Sequence, residues 1–392
     1  MAQPAQVTTL ALTGDTLKAS GTLILGPDGH LYATNFSRTP YTLVTFGMDF
    51  GSEIYKINPE DGAVERFADG LNGPFAMAFD HEGTLLVTNT GLGTVSEVSP
   101  EGRVSGFVTP GSLATGIAVA ADSSVIAGRC IPPGIIKFLP DSTVPTTFGE
   151  VGLDCPLGLT FDEDGNLYVS FQSGLIQNYS AEGADLGFLA SFLSLGRFLN
   201  QLTYSKADSS LYVTSRRGHR IWKVSLDGEI RALAGSGFPG TTDGSALQAS
   251  FINPTGLAVS EDGDTIYVLQ SLSGTALNPN SIRVITGVLN AETSPVVNED
   301  EADVPSGFVM GQNYPNPFTS ETTIRYGLPS PASVRLVVYD GIGRRVRVLT
   351  EGRQSPGWHA VVFEATGLPS GVYFYRLEAG SFQASGRMLL VK

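Results

Sequence analysis

Short segments of alternating apolar and polar residues run through the first 290 residues, and Asp-Gly, Glu-Gly or Asp-Ser turns separate them. Alternation with a period of two is typical of half-buried β-strands, and such turns supply the positive φ angles that tight hairpins need. One unit recurs: an Asp, a turn, then an apolar strand that ends in a small polar residue, as in GPDGHLYATN, FDEDGNLYVS and KADSSLYVTS. The pattern predicts an all-β chain that is assembled from repeats.

The repeats have a regular spacing, because equivalent positions lie 40 to 55 residues apart. Those positions are Tyr32, Leu86, Ile126, Tyr168, Tyr212 and Tyr267. Periods of this size with strands in every unit indicate the blades of a β-propeller. The sixth unit lacks a fourth strand, and the segment Gln6–Leu12 offers a replacement that would remove an open sheet edge. We therefore predict a six-bladed β-propeller over residues 1–289, closed by the N-terminal strand.

The remaining residues form a second region of opposite charge. Residues 290–306 are acidic and contain prolines, which predicts a linker. Residues 307–392 contain six or seven short alternating strands, which predicts an immunoglobulin-like β-sandwich. This region carries 9 basic and 5 acidic residues, whereas the rest of the chain carries 15 and 33. The overall charge of -14 excludes nucleic acid and anionic membrane surfaces as partners, and no apolar run is long enough to predict a membrane span.

The two cysteines, Cys130 and Cys155, fall at the end of one predicted strand and just before another, on adjacent blades. An even cysteine count suits a disulfide in an exported protein, and two reduced thiols are the alternative. The chain opens MAQPAQVTTL without a signal peptide, and Ala2 and Gln3 resemble the start of a mature chain.

In a propeller blade the second strand returns to the face where the first begins, so the longest loops should share one rim, which we call the mouth. Residues 36–52, 235–254 and 271–281 form these loops, and long loops on a rigid scaffold usually carry binding. The alternative is that they only cover the core. Arg129 and the SRRGHR stretch would suit an anionic group, unless nearby carboxylates pair with them. The candidate ligand-binding residues are Asn35, Asn89, Arg129, Gln172, Asn200, Arg216, His219 and Gln270.

The segment LAGSGFPGTTDGSALQASFINPTGLAVSEDGDTIYV, from Leu233, resembles an NHL-type repeat, and the other units resemble the gluconolactonase superfamily. This resemblance implies a six-bladed propeller and, for the enzymes, a divalent ion held by Glu, Asn and Asp. Asn200 is similar to the Asn of that set, but Thr255 stands where the family has Asp. The leading prediction is therefore a binding protein for a glycan, an anionic small molecule or a protein, with no catalytic residue assigned. The alternative is a gluconolactonase-like hydrolase or lyase, with Ca²⁺ as its candidate cofactor.

The C-terminal region resembles the type A sorting domain of the type IX secretion system, through NYPNPF, LPSGVYFYRL and the final MLLVK. This implies export by the secretion machinery and an extracellular or cell-surface location. A permanent immunoglobulin-like accessory module is the alternative. The residues of the sorting motif are Asn313, Tyr314, Pro315, Asn316, Pro317, Phe318, Gly371 and Tyr373.

Overall fold

β-Strands make up both parts of the chain, and a single 3-10 turn at Val288–Asn290 is the one helical element in the residues described. The computed structural model describes residues 5–36, 50–149, 154–192, 199–271, 280–291, 293–295, 308–310, 313 and 316–392. It divides into two compact units, Met1–Ser294 and Pro295–Lys392. Across these ranges there is no helix with the length and hydropathy of a membrane span.

The strands of the first unit follow the predicted hairpins. The first fourteen are β1 (Gln6–Thr9), β2 (Thr13–Gly14), β3 (Leu23–Leu25), β4 (Leu31–Thr34), β5 (Ile54–Ile57), β6 (Ala63–Ala68), β7 (Pro74–Phe79), β8 (Leu85–Asn89), β9 (Thr94–Val98), β10 (Val104–Val108), β11 (Ala114–Val119), β12 (Val125–Cys130), β13 (Pro133–Phe138) and β14 (Thr146–Gly149). The others are β15 (Pro156–Phe161), β16 (Leu167–Phe171), β17 (Leu175–Tyr179), β18 (Asp185–Ser191), β19 (Leu199–Ser205), β20 (Ser210–Ser215), β21 (Arg220–Ser225), β22 (Ile230–Ala234), β23 (Gly244–Ser245), β24 (Pro254–Val259), β25 (Thr265–Gln270), β26 (Ser281–Thr286) and β27 (Ser294–Pro295).

These strands form six sheets of four or five strands each. Their orders are β2-β6-β5-β4-β3 (sheet 1), β10-β9-β8-β7 (sheet 2), β11-β12-β13-β14 (sheet 3), β15-β16-β17-β18 (sheet 4), β19-β20-β21-β22-β27 (sheet 5) and β23-β1-β26-β25-β24 (sheet 6). The inner strand of each sheet is β3, β7, β11, β15, β19 or β24. Each inner strand lies against the inner strand of the next sheet, and β24 lies against β3. The arrangement is propeller-like.

Sheet 6 combines the two ends of the first unit. β1 pairs antiparallel with β26, so that Gln6 lies opposite Thr286 and Thr9 opposite Arg283. The Val7 side chain is completely buried in this sheet. The predicted strand continued to Leu12, but β1 ends at Thr9, and β2 pairs with sheet 1 instead.

Hydroxyl groups near the end of the second strand connect four of the sheets to the next one. Each donates to a backbone carbonyl of the neighbouring inner strand over 2.5 to 3.3 Å. This bond explains why the repeat ends in a small polar residue. The donor and acceptor residues are Thr34 and Phe75, Thr88 and Thr115, Ser170 and Asn200, and Thr214 and Thr255.

The second unit contains two sheets that share one hydrophobic core. Its strands are β28 (Val309–Met310), β29 (Glu321–Leu328), β30 (Ala332–Tyr339), β31 (Arg345–Gln354), β32 (Gly357–Glu364), β33 (Gly371–Ala379) and β34 (Phe382–Leu390). One sheet has the order β28-β29-β32 and the other β31-β30-β33-β34. Ile324 and Phe363 of the first sheet and Leu336, Tyr375 and Met388 of the second belong to the same buried cluster. The unit is therefore a β-sandwich.

Candidate functional site

The candidate residues at the ends of the second strands do not all occupy the same position. Asn89, Arg129 and Gln270 lie directly opposite the first residue of the inner strand in their sheets. In sheets 4 and 5 that position belongs to Phe171 and Ser215. The predicted residues there, Gln172 and Arg216, come one residue later in the chain. Since successive side chains of a strand alternate in direction, the predicted set does not form one uniform ring.

Several candidate amides are occupied by hydrogen bonds within the propeller-like unit. Asn89 is buried, donates to Ser96 Oγ at 2.9 Å and accepts the backbone N–H of Asn72. Asn200 donates from Nδ2 to the carbonyl oxygen of Thr255 at 2.6 Å. The bonds of Asn89 stabilise sheet 2 itself, whereas the bond of Asn200 joins sheet 5 to sheet 6, so both amides have structural roles.

Gln270 and His219 also make structural contacts. Gln270 is completely buried, and its Oε1 accepts the backbone N–H of Ile252 at 2.8 Å. His219 is buried and has a positive φ of 53°. Its Nδ1 accepts the backbone N–H of Asn253 at 3.3 Å, which holds the loop before β24. An imidazole nitrogen that accepts this bond is not available as a general base.

The fit of a calcium ion can be tested at the mouth of sheets 1 and 2. Asn35 donates from Nδ2 to Glu53 Oε2 at 2.7 Å, and the amide oxygens of Asn35 and Asn72 are buried without a hydrogen-bond partner. One carboxylate and two amide oxygens fall short of the six to eight oxygen ligands that Ca²⁺ takes. No cluster of three acidic, histidine or cysteine side chains with metal-binding geometry occurs within the described ranges. The residues present do not match the metal-binding set that the gluconolactonase resemblance implies, because Thr255 stands at the position of its Asp.

Arg129 is the candidate residue whose surroundings best suit an anionic ligand. Its guanidinium lies against the backbone of Gly111 and Gly134, and its Nη1 donates to the carbonyl oxygen of Pro110 at 3.2 Å. Its Nε is buried without an acceptor. In the parts of the chain that the structure describes, no carboxylate forms an ion pair with it. A guanidinium that is held by a backbone carbonyl and has no carboxylate partner is suited to bind an anion.

Aromatic residues of the first long loop pack into the core. Phe36 and Phe50 contact each other edge to face with ring centroids 5.9 Å apart, and Phe36 packs on Phe75 at 5.2 Å. Phe36 and Phe75 are buried. This part of the loop covers the core, as the alternative prediction held. Tyr41 and Phe46 lie outside the described residues.

A cavity of about 320 Å³ lies on the opposite rim, where the inner strands lead into the Asp-containing hairpins. Five of the six inner strands line it, and the wall includes Ile24, Phe79, Val119, Phe161 and Thr203. Most of the residues that line it are apolar, yet polar atoms supply the larger part of its accessible surface. Sequence reasoning directed attention to the mouth and did not identify this cavity.

Gln201 is a residue that sequence reasoning missed. Its Oε1 accepts the backbone N–H groups of Leu23 at 3.1 Å and Leu257 at 3.0 Å, and its Nε2 donates to Leu23 O at 2.9 Å. One side chain of sheet 5 therefore connects the inner strands of sheets 6 and 1. The sequence signal was a Gln at the inner-strand position where other repeats have small residues, such as Gly158 and Gly256.

The hairpin aspartates make structural contacts. Asp162 Oδ1 accepts the backbone N–H groups of Asp164 and Asn166, which is an Asx-turn. Asp208 accepts from Tyr212 Oη and Lys223 Nζ, each at 2.7 Å. Burial by itself would raise the pKa of Asp208, but the hydrogen bonds from Lys223 and Tyr212 hold it below its usual value.

The predicted disulfide between Cys130 and Cys155 is present, with the two Cα atoms 4.6 Å apart. It links β12 of sheet 3 to the residue before β15 of sheet 4. At this junction Gly128 occupies the position of the connecting hydroxyl, and a Cβ there would lie 2.8 Å from Thr115 Oγ1.

The long loop before β24 is held by a buried cation. Arg283 is completely buried and donates to the carbonyl oxygens of Ser250 and Thr242. It also pairs with Asp243 at 2.7 Å, and Asp243 accepts from Thr9 Oγ1 at 2.9 Å. Burial lowers the pKa of Arg283, and Asp243 opposes that effect. This part of the predicted ligand loop therefore has a structural role, because Asp243 connects it to β1.

The described residues of the sorting motif connect the start of the second unit to its last strand. Asn316 Nδ2 donates to Arg387 O, and Asn316 Oδ1 accepts the N–H of Leu389 at 2.8 Å. Phe318 is buried in the sandwich core. Gly371 begins β33, and Tyr373 Oη donates to Pro369 O at 2.8 Å. Asn313 donates to Thr322 Oγ1, whereas Tyr314 and Pro315 lie outside the described residues.

Comparisons with known proteins agree with this two-part organisation. Residues 312–392 match the family described as the secretion system C-terminal sorting domain. The comparison with curated proteins found no relative.

The solved structures that resemble the chain cover its propeller-like part. A Xanthomonas campestris gluconolactonase is 15% identical over 72% of this chain and 89% of its own, with a TM-score of 0.53. An auxiliary nutrient binding protein from Bacteroides ovatus is 12% identical over 72% and 76%, with a TM-score of 0.57. A Staphylococcus aureus virginiamycin B lyase is 14% identical over 72% and 99%, with a TM-score of 0.50. At these identities the likeness concerns the fold. The chain thus combines a propeller fold like that of gluconolactonase-like proteins with a C-terminal region that matches the secretion sorting-domain family.

Proposed function

We propose that this protein is an exported binding protein, in which a closed six-bladed β-propeller holds an anionic ligand at its mouth. Ring closure is supported by the contact between β24 and β3 and by the pairing of β1 with β26. A rigid ring with its longest loops on one rim is a suitable scaffold for binding.

Export rests on the match of residues 312–392 to the sorting-domain family. We assign the route to the type IX secretion system, the sandwich to the immunoglobulin-like class, and the final location to the cell surface or the medium. The disulfide between Cys130 and Cys155 agrees with such a location, since disulfides persist in oxidising compartments.

The ligand class follows from Arg129, and this residue carries the proposal. Its guanidinium is held by the carbonyl oxygen of Pro110, and no carboxylate among the described residues forms an ion pair with it. A carboxylate that reaches the accessible side of the guanidinium would offset its charge through charge-assisted hydrogen bonds. A uronic acid or another carboxylated saccharide fits this requirement. The nutrient-binding neighbour has a role of the same general kind.

A gluconolactonase-like reaction is less well supported. Asn89 and Asn200 already make internal hydrogen bonds, and Thr255 stands in place of the Asp. Asn35 is bound to Glu53. We therefore derive no metal-dependent step from this site.

The test is a binding screen on the full chain with galacturonate and glucuronate and with the matching neutral sugars. We expect the acids to bind and Arg129→Gln to weaken that binding about 10- to 100-fold, because a charged hydrogen bond is lost. Arg103→Gln is the matched control, since Arg103 is exposed just before β10 and pairs with Glu101 at 2.8 Å. Isothermal titration calorimetry measures both. Binding of neutral sugars alone, or equal binding by the two variants, would contradict the proposal.

A further inference from the structure

The outer face of the four-stranded sheet in the sandwich carries apolar side chains where polar ones are expected. A sheet with one face on the core normally alternates buried apolar and exposed polar residues. On β33, Tyr373 and Tyr375 point into the core, yet the residues on either side of Tyr373 are apolar and exposed. β34 shows the same departure. The exposed residues, called the outer patch, are Val372 (40% exposed), Phe374 (40%), Leu389 (39%) and Val391 (46%).

Strand register brings the outer patch together. Val372 lies directly opposite Leu389, and Phe374 lies opposite both Tyr339 and Arg387. The patch is formed by GVYFYRL and MLLVK, two of the segments by which the sequence resembles the sorting domain. Packing in the core explains the side chains of those segments that point inward. It gives no structural role to the apolar side chains that point outward.

Cationic residues flank the outer patch. Across the sheet, Arg345 lies opposite Tyr339, which in turn lies opposite Phe374, and Arg387 lies on the other side of Phe374. An apolar row thus ends in an arginine on each side. The acidic side chains on this face are Glu351 and Glu378, which pair with Arg335 at 3.6 Å and Arg376 at 3.3 Å. The region from residue 307 onward carries four more basic than acidic residues.

We infer that the outer patch is the surface by which the sorting domain docks on a protein of the export machinery. The matching surface would have an apolar centre and a carboxylate at each side, because the patch has an apolar centre between two arginines. This inference rests on the proposed export of the chain. Apolar centres with charged margins are typical of protein interfaces, and arginine is enriched there.

The arginines of the row favour a protein over a lipid surface. Residues that anchor in lipid must reach roughly 5–10 Å into the headgroup and acyl boundary. Because Arg345 and Arg387 lie in one row with Phe374, they would be carried inward with the apolar side chains. A protein surface with matching carboxylates can cover the row without that cost.

The experiment uses the full chain expressed in a bacterium that carries a type IX secretion system. The test variant combines Val372→Thr, Phe374→Thr and Leu389→Thr, which keep strand-forming residues on the face and remove its apolar character. The control is Val362→Thr, because Val362 is 52% exposed on β32 of the other sheet. We expect the exported fraction to fall about tenfold or more in the triple variant, since three central interface residues are truncated. The control should match the wild type.

A charge variant sharpens the result. Arg345→Glu places a carboxylate at the edge of the outer patch, and we expect it to lower export while Arg353→Glu, on the same strand β31, does not. Thermal melting of the purified variants, with midpoints equal to the wild type, shows that loss of export is not loss of folding. Full export of the triple variant would overturn the inference. Binding of the wild type, but not of the triple variant, to vesicles of phosphatidylethanolamine and lipopolysaccharide would assign the patch to a membrane and also overturn it. A folded wild type that is not exported would instead refute the proposed export.

Discussion

Two junctions of the propeller-like unit are fastened in different ways. Sheets 3 and 4 are consecutive in the chain, and a disulfide between Cys130 and Cys155 joins them. Sheet 6 is assembled from β1 and from strands about 250 residues later. Arg283 binds the loop before β24 to this sheet, and Gln201 connects the sheet to its neighbours. The first junction is covalent and local, whereas the second is noncovalent and long-range.

The difference shows what each junction lacks. In sheet 3 Gly128 stands at the position of the connecting hydroxyl, so that the disulfide and the hydroxyl of Thr115, which donates to Pro156 O at 2.5 Å, hold this sheet to sheet 4. In sheet 6 no peptide turn connects β1 to β26, so the entropy of bringing them together must be offset by side-chain contacts. A buried arginine with several carbonyl acceptors supplies those contacts. We call the pairing of β1 with β26 the seam. A single substitution at the seam should therefore lower the free energy of unfolding more than one at the junction of sheets 3 and 4.

The largest expected effect is at the seam. Arg283→Met removes the buried guanidinium and leaves the carbonyls of Ser250 and Thr242 without their donor. We expect the free energy of unfolding to fall by about 3–5 kcal/mol. Urea unfolding followed by tryptophan fluorescence measures the change. Arg103→Met, at an exposed pair with Glu101, should cost less than about 1 kcal/mol. Equal losses in the two variants would remove the distinction between the seam and an ordinary surface pair.

The next effect is at the covalent junction. Replacing Cys130 and Cys155 by Ser should lower the free energy of unfolding by about 2–4 kcal/mol, because the sulfurs close a loop of 25 residues. The same urea experiment applies. Reduction of the wild type should reproduce the loss, and the double variant should not respond to reductant. A double variant as stable as the oxidised protein would show that hydrogen bonds alone hold this junction.

The smallest effect is expected where a contact joins strands within one sheet. Because the pKa of Asp208 is lowered in the folded state, its ionised form stabilises the fold above the usual aspartate pKa of about 3.8, and this contribution is lost as the pH falls through the lower folded value. Asp208→Asn should therefore be less stable than the wild type at pH 7, and the two should converge below about pH 3.8. Thermal melting across this pH range measures the difference. A constant gap would show that the effect of Asp208 is not electrostatic.

Much of the fold could be predicted from local patterns, because the hairpins and strand ends are encoded by neighbouring residues. Cys130 and Cys155 were placed correctly, since each lies next to a recognisable strand. Residues whose roles depend on distant partners were not predictable in the same way. Gln201 reaches Leu23, which is 178 residues away, and Arg283 on β26 reaches Asp243 in the loop before β23.

The candidate site was predicted less well, for a related reason. The sequence identified polar residues at strand ends but could not tell which amides would be used internally. Asn89 and Asn200 make structural hydrogen bonds, whereas Arg129 has no carboxylate partner among the described residues. The offset of Gln172 and Arg216 arises because a one-residue difference at a strand end reverses the direction of the side chain.

The pairing of β1 with β26 also sets an order of events during synthesis. Thr9 leaves the ribosome about 275 residues before its partner Arg283. At typical rates of elongation this is a delay of roughly 15 to 55 s. Until β23 has been synthesised, β1 has no neighbouring strand, although the strands of sheets 2, 3 and 4 have already been made. A chaperone that shields short extended segments would therefore act on β1 and release it only when sheet 6 forms.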